Sequence, residues 1–439
     1  MTPVEPTPIR SWLDSHINLE AGVGAPPAGG DRKPRASLER MRRLLALLGS
    51  PEQDFRAIHV AGTTGKTSTT RMVTQLMRAA GLSVGTYTSP HLETLEKRIT
   101  YDGEPIESVE LDGALEIIRA VEDDMPEPPS FFEIVTAAAF REFADLAVDV
   151  AVIEVGLGGE WDATNLAHSS VIAVTNVSVD HTEYFGETLP EIAISEAAVV
   201  EPNVPLVLGV TDPLLAAPFL DRGAYPIVRR DVQFGARPPV MAHGGYVATY
   251  ETPRAVYEDV FLALHGVHQV ENAAIALATT EAFFGAALPE DVVRDAFGTI
   301  TTPGRLEVTA HQPMVLLDGA HNVAGARALA RSLADEFPAG PRVWVLGLLR
   351  EKDPSEMIDA LGVRAEDAVI VCRPPSPRAL DPQAIAEVLR ARPEPPRAVE
   401  VRDEPAEALA LAREGAPEDA QVIVTGSLYL VGAARALLH

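Results

Sequence analysis

The sequence predicts an α/β protein with a doubly wound, mainly parallel sheet and a second, smaller α/β domain after it. Three observations predict this. The chain has 439 residues, more than one ordinary core accommodates, so two to three domains are expected. Short apolar runs alternate with helical stripes along most of its length, as in a sheet of parallel strands covered by helices. Apolar residues make up 46% of the chain and aromatics only 5%, a stock of Ala, Val and Leu suited to buried strands.

The elements follow in order. Residues 22–35 are rich in Gly and Pro and read as a loop. A helix follows, with Ser37 able to cap it, a stripe of Leu38, Met41, Leu44, Leu45 and Leu48, and Gly49 at its end. Residues 57–61 are an apolar strand, and a Gly/Thr loop leads to a helix over 67–80, with Gly81 as its stop. Strands are expected at Val84–Tyr87, Val150–Val155 and Val171–Thr175, and helices at 133–146 and near 188–200. The stretch 203–265 is less regular, and its segments Gly245–Tyr250 and Ala255–Leu264 suit a small antiparallel addition. Helices are expected at 268–282 and 289–297. Thr301-Thr302-Pro303-Gly304 reads as an interdomain turn, after which strands and helices alternate afresh up to 421–425. The expected domains are residues 1–302 and 303–439, and no internal repeat is evident.

Formal net charge is −27, which excludes bulk attraction to a phosphate backbone and makes nucleic acid a poor partner. The single cysteine, Cys372, excludes a disulfide within the chain and a multi-cysteine metal site, and reads as a buried strand residue. Residues 1–10 carry no apolar run suited to a signal peptide, and no stretch of about 18 uncharged apolar residues occurs. The expectation is a soluble, cytoplasmic protein without a membrane partner.

Any anionic ligand must therefore be held by local donors. Residues 60–69 read Val-Ala-Gly-Thr-Thr-Gly-Lys-Thr-Ser-Thr. A strand ends, the chain turns on Gly62 and Gly65, and a helix begins at Lys66, one of only four lysines. Backbone N–H groups and a helix N-terminus can cradle phosphates here, Lys66 supplies a point charge, and a hydroxyl of Thr67 or Ser68 can reach Mg²⁺. The first sheet is on this reading P-loop-type. The spacing is shorter than the general P-loop pattern, and a Gly-rich turn with a capping Thr is the alternative.

Other chemistry-bearing residues fall at strand ends, where ligands of open α/β sheets bind. Glu154 ends the run 150–153 and leads into Gly156-Leu157-Gly158-Gly159. A carboxylate there can share a hard cation with phosphates, or lie in water. Ser89 follows the strand ending at Tyr87, and Asp180-His181 follows Val171–Thr175; His181 is either functional or structural.

Together these segments resemble a known family. Gly62–Ser68, Thr88-Ser89-Pro90-His91-Leu92, Phe131-Phe132-Glu133, Glu154–Gly159, Asp162-Ala163-Thr164-Asn165 and Asp180-His181-Thr182-Glu183 occur in this order. So do His268-Gln269 with Asn272, Pro303–Glu307, Asp318-Gly319-Ala320-His321-Asn322 and Gly426–Leu430. From about Leu13 onward the chain is similar to the folylpolyglutamate/dihydrofolate synthases of the Mur ligase superfamily. The resemblance implies an N-terminal ATP-binding domain, a Rossmann-like C-terminal glutamate-ligase domain, and a monomer. It implies ATP-dependent joining of L-glutamate to dihydropteroate or to the γ-carboxylate of reduced folates, through an acyl phosphate. Thr64, Gly65, Lys66 and Thr67 would hold ATP phosphates, and Asn272, Arg305 and Asp318 would contact ATP. Ser89, Glu154 and His181 would be Mg²⁺ ligands, and Lys66, Glu154, His181 and Glu196 would carry catalysis. Ser130, Phe131, Phe132, Glu133, Trp161, Asp162 and Ala163 would line the pterin side.

Three departures from the family pattern matter. Thr64 stands where the family usually has Asn. Glu196 stands, when lined up on Asp180-His181 and Pro202, where many relatives carry a carbamylated lysine. It either substitutes for the carbamate or is a solvated helix Glu. Glu160 stands where Arg commonly follows the two glycines, which puts substrate preference in question. Two other readings remain open: a degenerate ATP-binding paralogue with a regulatory role, and a Mur-type ligase with a different acid and amine.

Overall fold

The computed structural model describes residues 7–18, 20, 38–180, 182–338 and 340–438, without the side chain of Glu183. Ser37 and His181 lie outside the described residues. The chain forms two compact units: Met1–Pro238 with Ala248–Phe261 and Glu271–Ile300, and Thr301–His439 with Pro239–Val247 and Leu262–Val270.

The first unit opens with α1 (Pro8–Asp14) and α2 (Leu38–Leu47), whose buried Met41, Leu44 and Leu45 bear out the sequence stripe. Its sheet is built from β1 (Arg56–Ala61), β2 (Val84–Tyr87), β3 (Ile99–Tyr101), β4 (Glu104–Pro105), β5 (Val150–Glu154), β6 (Ser169–Val174), β7 (Leu206–Leu208) and β8 (Ile227–Arg229). The strand order is β4-β3-β2-β5-β1-β6-β7-β8. The six strands from β2 to β8 are mutually parallel, and β3 and β4 add an antiparallel edge. Helices cover both faces: α3 (Lys66–Ala79), α4 (Ser108–Glu122), α5 (Phe131–Asp145), α6 (Thr182–Phe185), α7 (Leu189–Glu196) and α8 (Pro213–Leu220). That double cover explains why β2 and β5 are buried at every residue and read as unbroken apolar runs.

A four-stranded sheet follows: β9 (Gly235–Ala236), β10 (Val240–Ala242), β11 (Gly245–Glu251) and β12 (Val256–Leu262). This is the antiparallel addition expected from the alternating segments. Helices α9 (His268–Phe284) and α10 (Glu290–Thr299) come next. Leu262–Val270 belongs with the second unit because Glu336 accepts hydrogen bonds from Gly266 N (2.6 Å) and the His265 ring (2.9 Å).

The second unit contains β13 (Glu307–His311), β14 (Met314–Leu317), α11 (Val323–Glu336), β15 (Arg342–Leu346), α12 (Pro354–Leu361), β16 (Ala368–Val371), α13 (Pro382–Arg390), β17 (Ala398–Val401), α14 (Pro405–Gly415), β18 (Gln421–Thr425) and α15 (Leu428–Leu438). Its sheet runs β13-β14-β18-β15-β16-β17, parallel except for the edge strand β13. Cys372 follows β16 and is fully buried; burial pushes its thiol up to about 12, so it is packing rather than chemistry.

Candidate active site

Four neighbouring strands of the first sheet, β2-β5-β1-β6, end side by side. Ser89 follows β2, Glu154 ends β5, the 62–66 loop follows β1, and Thr175 to Asp180 follow β6. Side chains more than 80 positions apart in sequence therefore meet along one sheet edge.

The loop after β1 turns at Gly62, where φ is +116°. A Cβ there would collide with Thr175 Oγ1 and come within 2.9 Å of Asn176 O, so only glycine fits. Helix α3 starts at Lys66, whose ammonium folds back to donate to Gly62 O (2.7 Å) and Thr63 O (3.3 Å). Its first-turn N–H groups have no helical carbonyl to bind, which is the arrangement that favours an anion. Asn272 packs on this turn: its Oδ1 lies 2.6 Å from where a Cβ on Gly65 would be.

Glu154 is 2% exposed, which removes the alternative of a carboxylate lying in water. Its Oε1 accepts from Thr67 Oγ1 (2.9 Å) and its Oε2 from Ser89 N (3.3 Å). Glu196, near the end of α7, is 3% exposed, so it is not a solvated helix residue. Burial pushes its carboxyl pKa up, opposed by the Lys66 charge and by a hydrogen bond from the Gly62 N–H. Its carboxylate also fills the space over Gly158, where a Cβ would meet Glu196 Oε2 directly and Cδ at 2.9 Å.

Among the described residues no three His, Cys, Asp or Glu side chains gather into a metal cage. Thr67 meets Glu154 through its hydroxyl and Ser89 meets it through its backbone N–H, and the side chains of all three carry oxygen. That set fits Mg²⁺, which takes few protein ligands and shares the rest with phosphates and water.

A family model for the Mur ligase middle domain matches residues 60–280, and one for the Mur ligase glutamate ligase domain matches residues 304–428. The chain is 39% identical over 439 residues to a dihydrofolate synthase/folylpolyglutamate synthase of Mycobacterium tuberculosis, covering 91% of this chain and 90% of that protein. It is 34% identical to the folylpolyglutamate synthase of Lacticaseibacillus casei, covering 91% and 94%. A solved structure of Mycobacterium tuberculosis folylpolyglutamate synthase complexed with ADP and AMPPCP superposes with a TM-score of 0.87 at 38% identity, over 92% of this chain and 95% of that one. The chain belongs to the folylpolyglutamate and dihydrofolate synthase family of Mur ligases.

In this ligase the residues expected on the pterin side fall into two groups. Ser130 and Glu133 cap α5 reciprocally, and Glu133 also pairs with Arg40 (2.7 Å), so both have a structural task. Phe132 packs over Gly156 and against Tyr87, beside the glycine-rich loop, while Phe131 is buried under Arg98. Asp162 is buried, its Oδ2 accepting from Leu157 N (2.8 Å) and its Oδ1 from Thr164 N (2.9 Å) and Thr164 Oγ1 (2.5 Å). Ala163 follows it, buried, and the indole N–H of Trp161 is buried without an acceptor among the described residues.

Behind Asp162 lies His59, which the sequence reading did not single out. Its Nε2 meets Thr164 Oγ1 at 2.8 Å, and complete burial lowers its pKa to about 4, so the ring is neutral. The only sequence signal was the Asp-Ala-Thr-Asn motif containing Thr164; nothing pointed to its partner 105 positions earlier.

In the second unit, Asp318 lies at the end of β14. Its two oxygens accept from Leu306 N and Ala320 N, both at 2.9 Å. Burial raises its pKa, and the nearby Arg305 charge opposes the rise. The Arg305 guanidinium lies over Gly319, and His321 Nδ1 meets Gly319 O at 2.8 Å. Asn322 caps α11 through Gly325 N (2.8 Å), a helix-capping role for the last residue of the Asp-Gly-Ala-His-Asn motif.

Proposed function

We infer that this chain is an ATP-dependent ligase that joins L-glutamate to dihydropteroate or to the γ-carboxylate of a reduced folate. The observation that carries the reading is the meeting of Thr67, Ser89 and Glu154, beside Lys66, at three adjacent strand ends, β1, β2 and β5. A carboxylate is a poor acyl donor because its oxygen leaves badly. Transfer of the γ-phosphoryl group makes an acyl phosphate, and the glutamate amine then displaces phosphate.

Each residue has a part in that chemistry. Gly65 to Thr67 donate backbone N–H groups to the phosphates, and Lys66 places a positive charge among them. Asn272, beside Gly65, bounds the nucleotide on one side. As the resemblance implies, Arg305 and Asp318 would contact ATP, residues 1–302 would form the ATP-binding domain and residues 303–439 the glutamate-ligase domain. Ser89, Glu154 and His181 would hold Mg²⁺, with Glu196 as a nearby carboxylate; the ion when bound offsets phosphate charge. Phe132, Trp161, Asp162 and Ala163 receive the pterin, and the unpartnered Trp161 N–H supports a polar ligand there. Cytoplasmic function agrees with the finding that no described helix is long and apolar enough to cross a membrane.

A phosphate-release assay tests the reading. Turnover of ATP should require both a pteroate or folate acid and L-glutamate. Turnover that needs neither would make the chain a plain nucleotidase, and binding of ATP without turnover would favour the degenerate paralogue.

A further inference from the structure

The phosphate loop is gripped from outside by residues to which neither the sequence nor the ligase chemistry gives a task. Asn176, just past β6, accepts from Thr63 N through its backbone oxygen (3.0 Å). Its side-chain Oδ1 accepts from both Thr64 N (3.1 Å) and Thr64 Oγ1 (3.0 Å), while its Nδ2 donates to Thr64 O (3.0 Å). Thr175 Oγ1 also donates to Thr64 O (2.7 Å), and Ser178 N donates to Thr63 Oγ1 (3.0 Å). One primary amide thus pairs with both backbone groups of a single residue, as a neighbouring strand would, and fixes the peptide planes on either side of Thr64.

The Thr63 N–H goes to Asn176 O and the Thr64 N–H to Asn176 Oδ1. The N–H groups of both loop threonines are committed within the protein, and the Thr64 hydroxyl is committed with them. The anion-facing donors are therefore those at the head of α3, from Gly65 onward. With Glu154 and Glu196 buried beside the loop, these donors must be held in place before a polyanion arrives.

We propose that Asn176 is a positioning residue for the nucleotide: by clamping Thr64 it confines the phosphate cradle to Gly65–Thr67 at the start of α3. This rests on the ATP-dependent reading above and assigns the grip on the loop to a residue that itself touches no substrate.

The test is calorimetric titration of ADP into the full chain, which needs no ligation chemistry, combined with steady-state kinetics and thermal melting. Asn176→Ala should weaken ADP by about ten- to a hundredfold, the scale of two or three lost hydrogen bonds. Its KM for ATP should rise by a similar factor while the KM values for folate and glutamate stay put. Asn176→Asp keeps the acceptor but turns an oxygen toward Thr64 O, and should be at least as impaired. Thr64→Val, which loses only the hydroxyl bond, should show a smaller rise and serves if Asn176→Ala fails to fold. Ser83→Ala breaks a hydrogen bond to Asp149 at the opposite end of the sheet and should leave ADP affinity unchanged. The proposal is overturned if Asn176→Ala and Thr64→Val both bind ADP within about twofold of wild type. It is equally overturned if all three KM values rise together with a fall in melting temperature, the mark of a merely structural residue. Absence of ADP binding by the wild type would instead sink the ATP-dependent reading itself.

Discussion

Thr67 donates its hydroxyl to Glu154 Oε1 across 2.9 Å, tying the first turn of α3 to the end of β5. The bond orients a buried carboxylate that also accepts from Ser89 N, so loss of the hydroxyl leaves Glu154 with one fewer donor. A hydrogen bond to a charged group contributes about 1.5–3 kcal/mol. Thr67→Val should therefore lower kcat/KM for ATP by about ten- to a hundredfold, and Thr67→Ser, which keeps the oxygen, by much less. Initial rates over a range of Mg²⁺ concentrations would check this; equal rates for Thr67→Val and wild type would remove Thr67 from the site.

Glu196 is buried against the Gly62 N–H and near Lys66, and its charge is part of the side chain. A carbamate, by contrast, exists only while CO₂ is present. Activity should be the same in CO₂-depleted and bicarbonate-supplemented buffer, and Glu196→Gln should lose at least about tenfold, since the amide keeps the shape and drops the charge. Restoration of a CO₂-depleted sample by bicarbonate would show that Glu196 does not fill this role.

Much of the sheet was legible because buried parallel strands are apolar at every position, as in Val150 to Ile153, and need no partner to be recognised. The strand-end carboxylate and the loop after β1 were legible for the same reason: they interrupt such runs. Helix α4 was not read, because its buried Leu111, Ala114, Leu115 and Ile118 sit among exposed Val109 and Ile117, which blur the stripe. The antiparallel edges β3–β4 and β13 are short and depend on neighbours for their definition. The clamp of Asn176 on Thr64 and the contact of His59 with Thr164 join residues more than 100 positions apart. Hydrogen-bond partners at that separation leave no local pattern.

Gly158 lies under the Glu196 carboxylate, so a methyl group there has nowhere to go unless the carboxylate moves. Gly158→Ala should displace Glu196 and depress kcat by about tenfold or more, with a melting temperature lowered by only a few degrees. The double variant Gly158→Ala/Glu196→Gln should be little worse than Glu196→Gln alone, because both changes act on one group. Additive losses in that cycle would mean that Gly158 acts through another contact.

His59 sets the response to acid. Complete burial holds its folded pKa at about 4, below the ordinary 6.5. Between these values the unfolded chain binds a proton that the folded chain refuses. The folding stability tied to His59 is therefore complete above pH 6.5 and is lost as pH falls toward 4, by about 1.4 kcal/mol per pH unit. His91 and His268 are lowered to about 4 as well and add to the slope. Asp162, linked to His59 through Thr164, is shifted upward by burial and opposes it at the acid end. The comparison that isolates His59 is thus wild type against His59→Gln, in urea titrations from pH 7 to about pH 4.5. The variant starts less stable, because the amide packs less well in a closed space, but its stability should fall less steeply by about 1.4 kcal/mol per unit. Parallel slopes for the two proteins would mean that His59 is protonated in the folded chain, and would undo the neutral ring inferred beside Thr164.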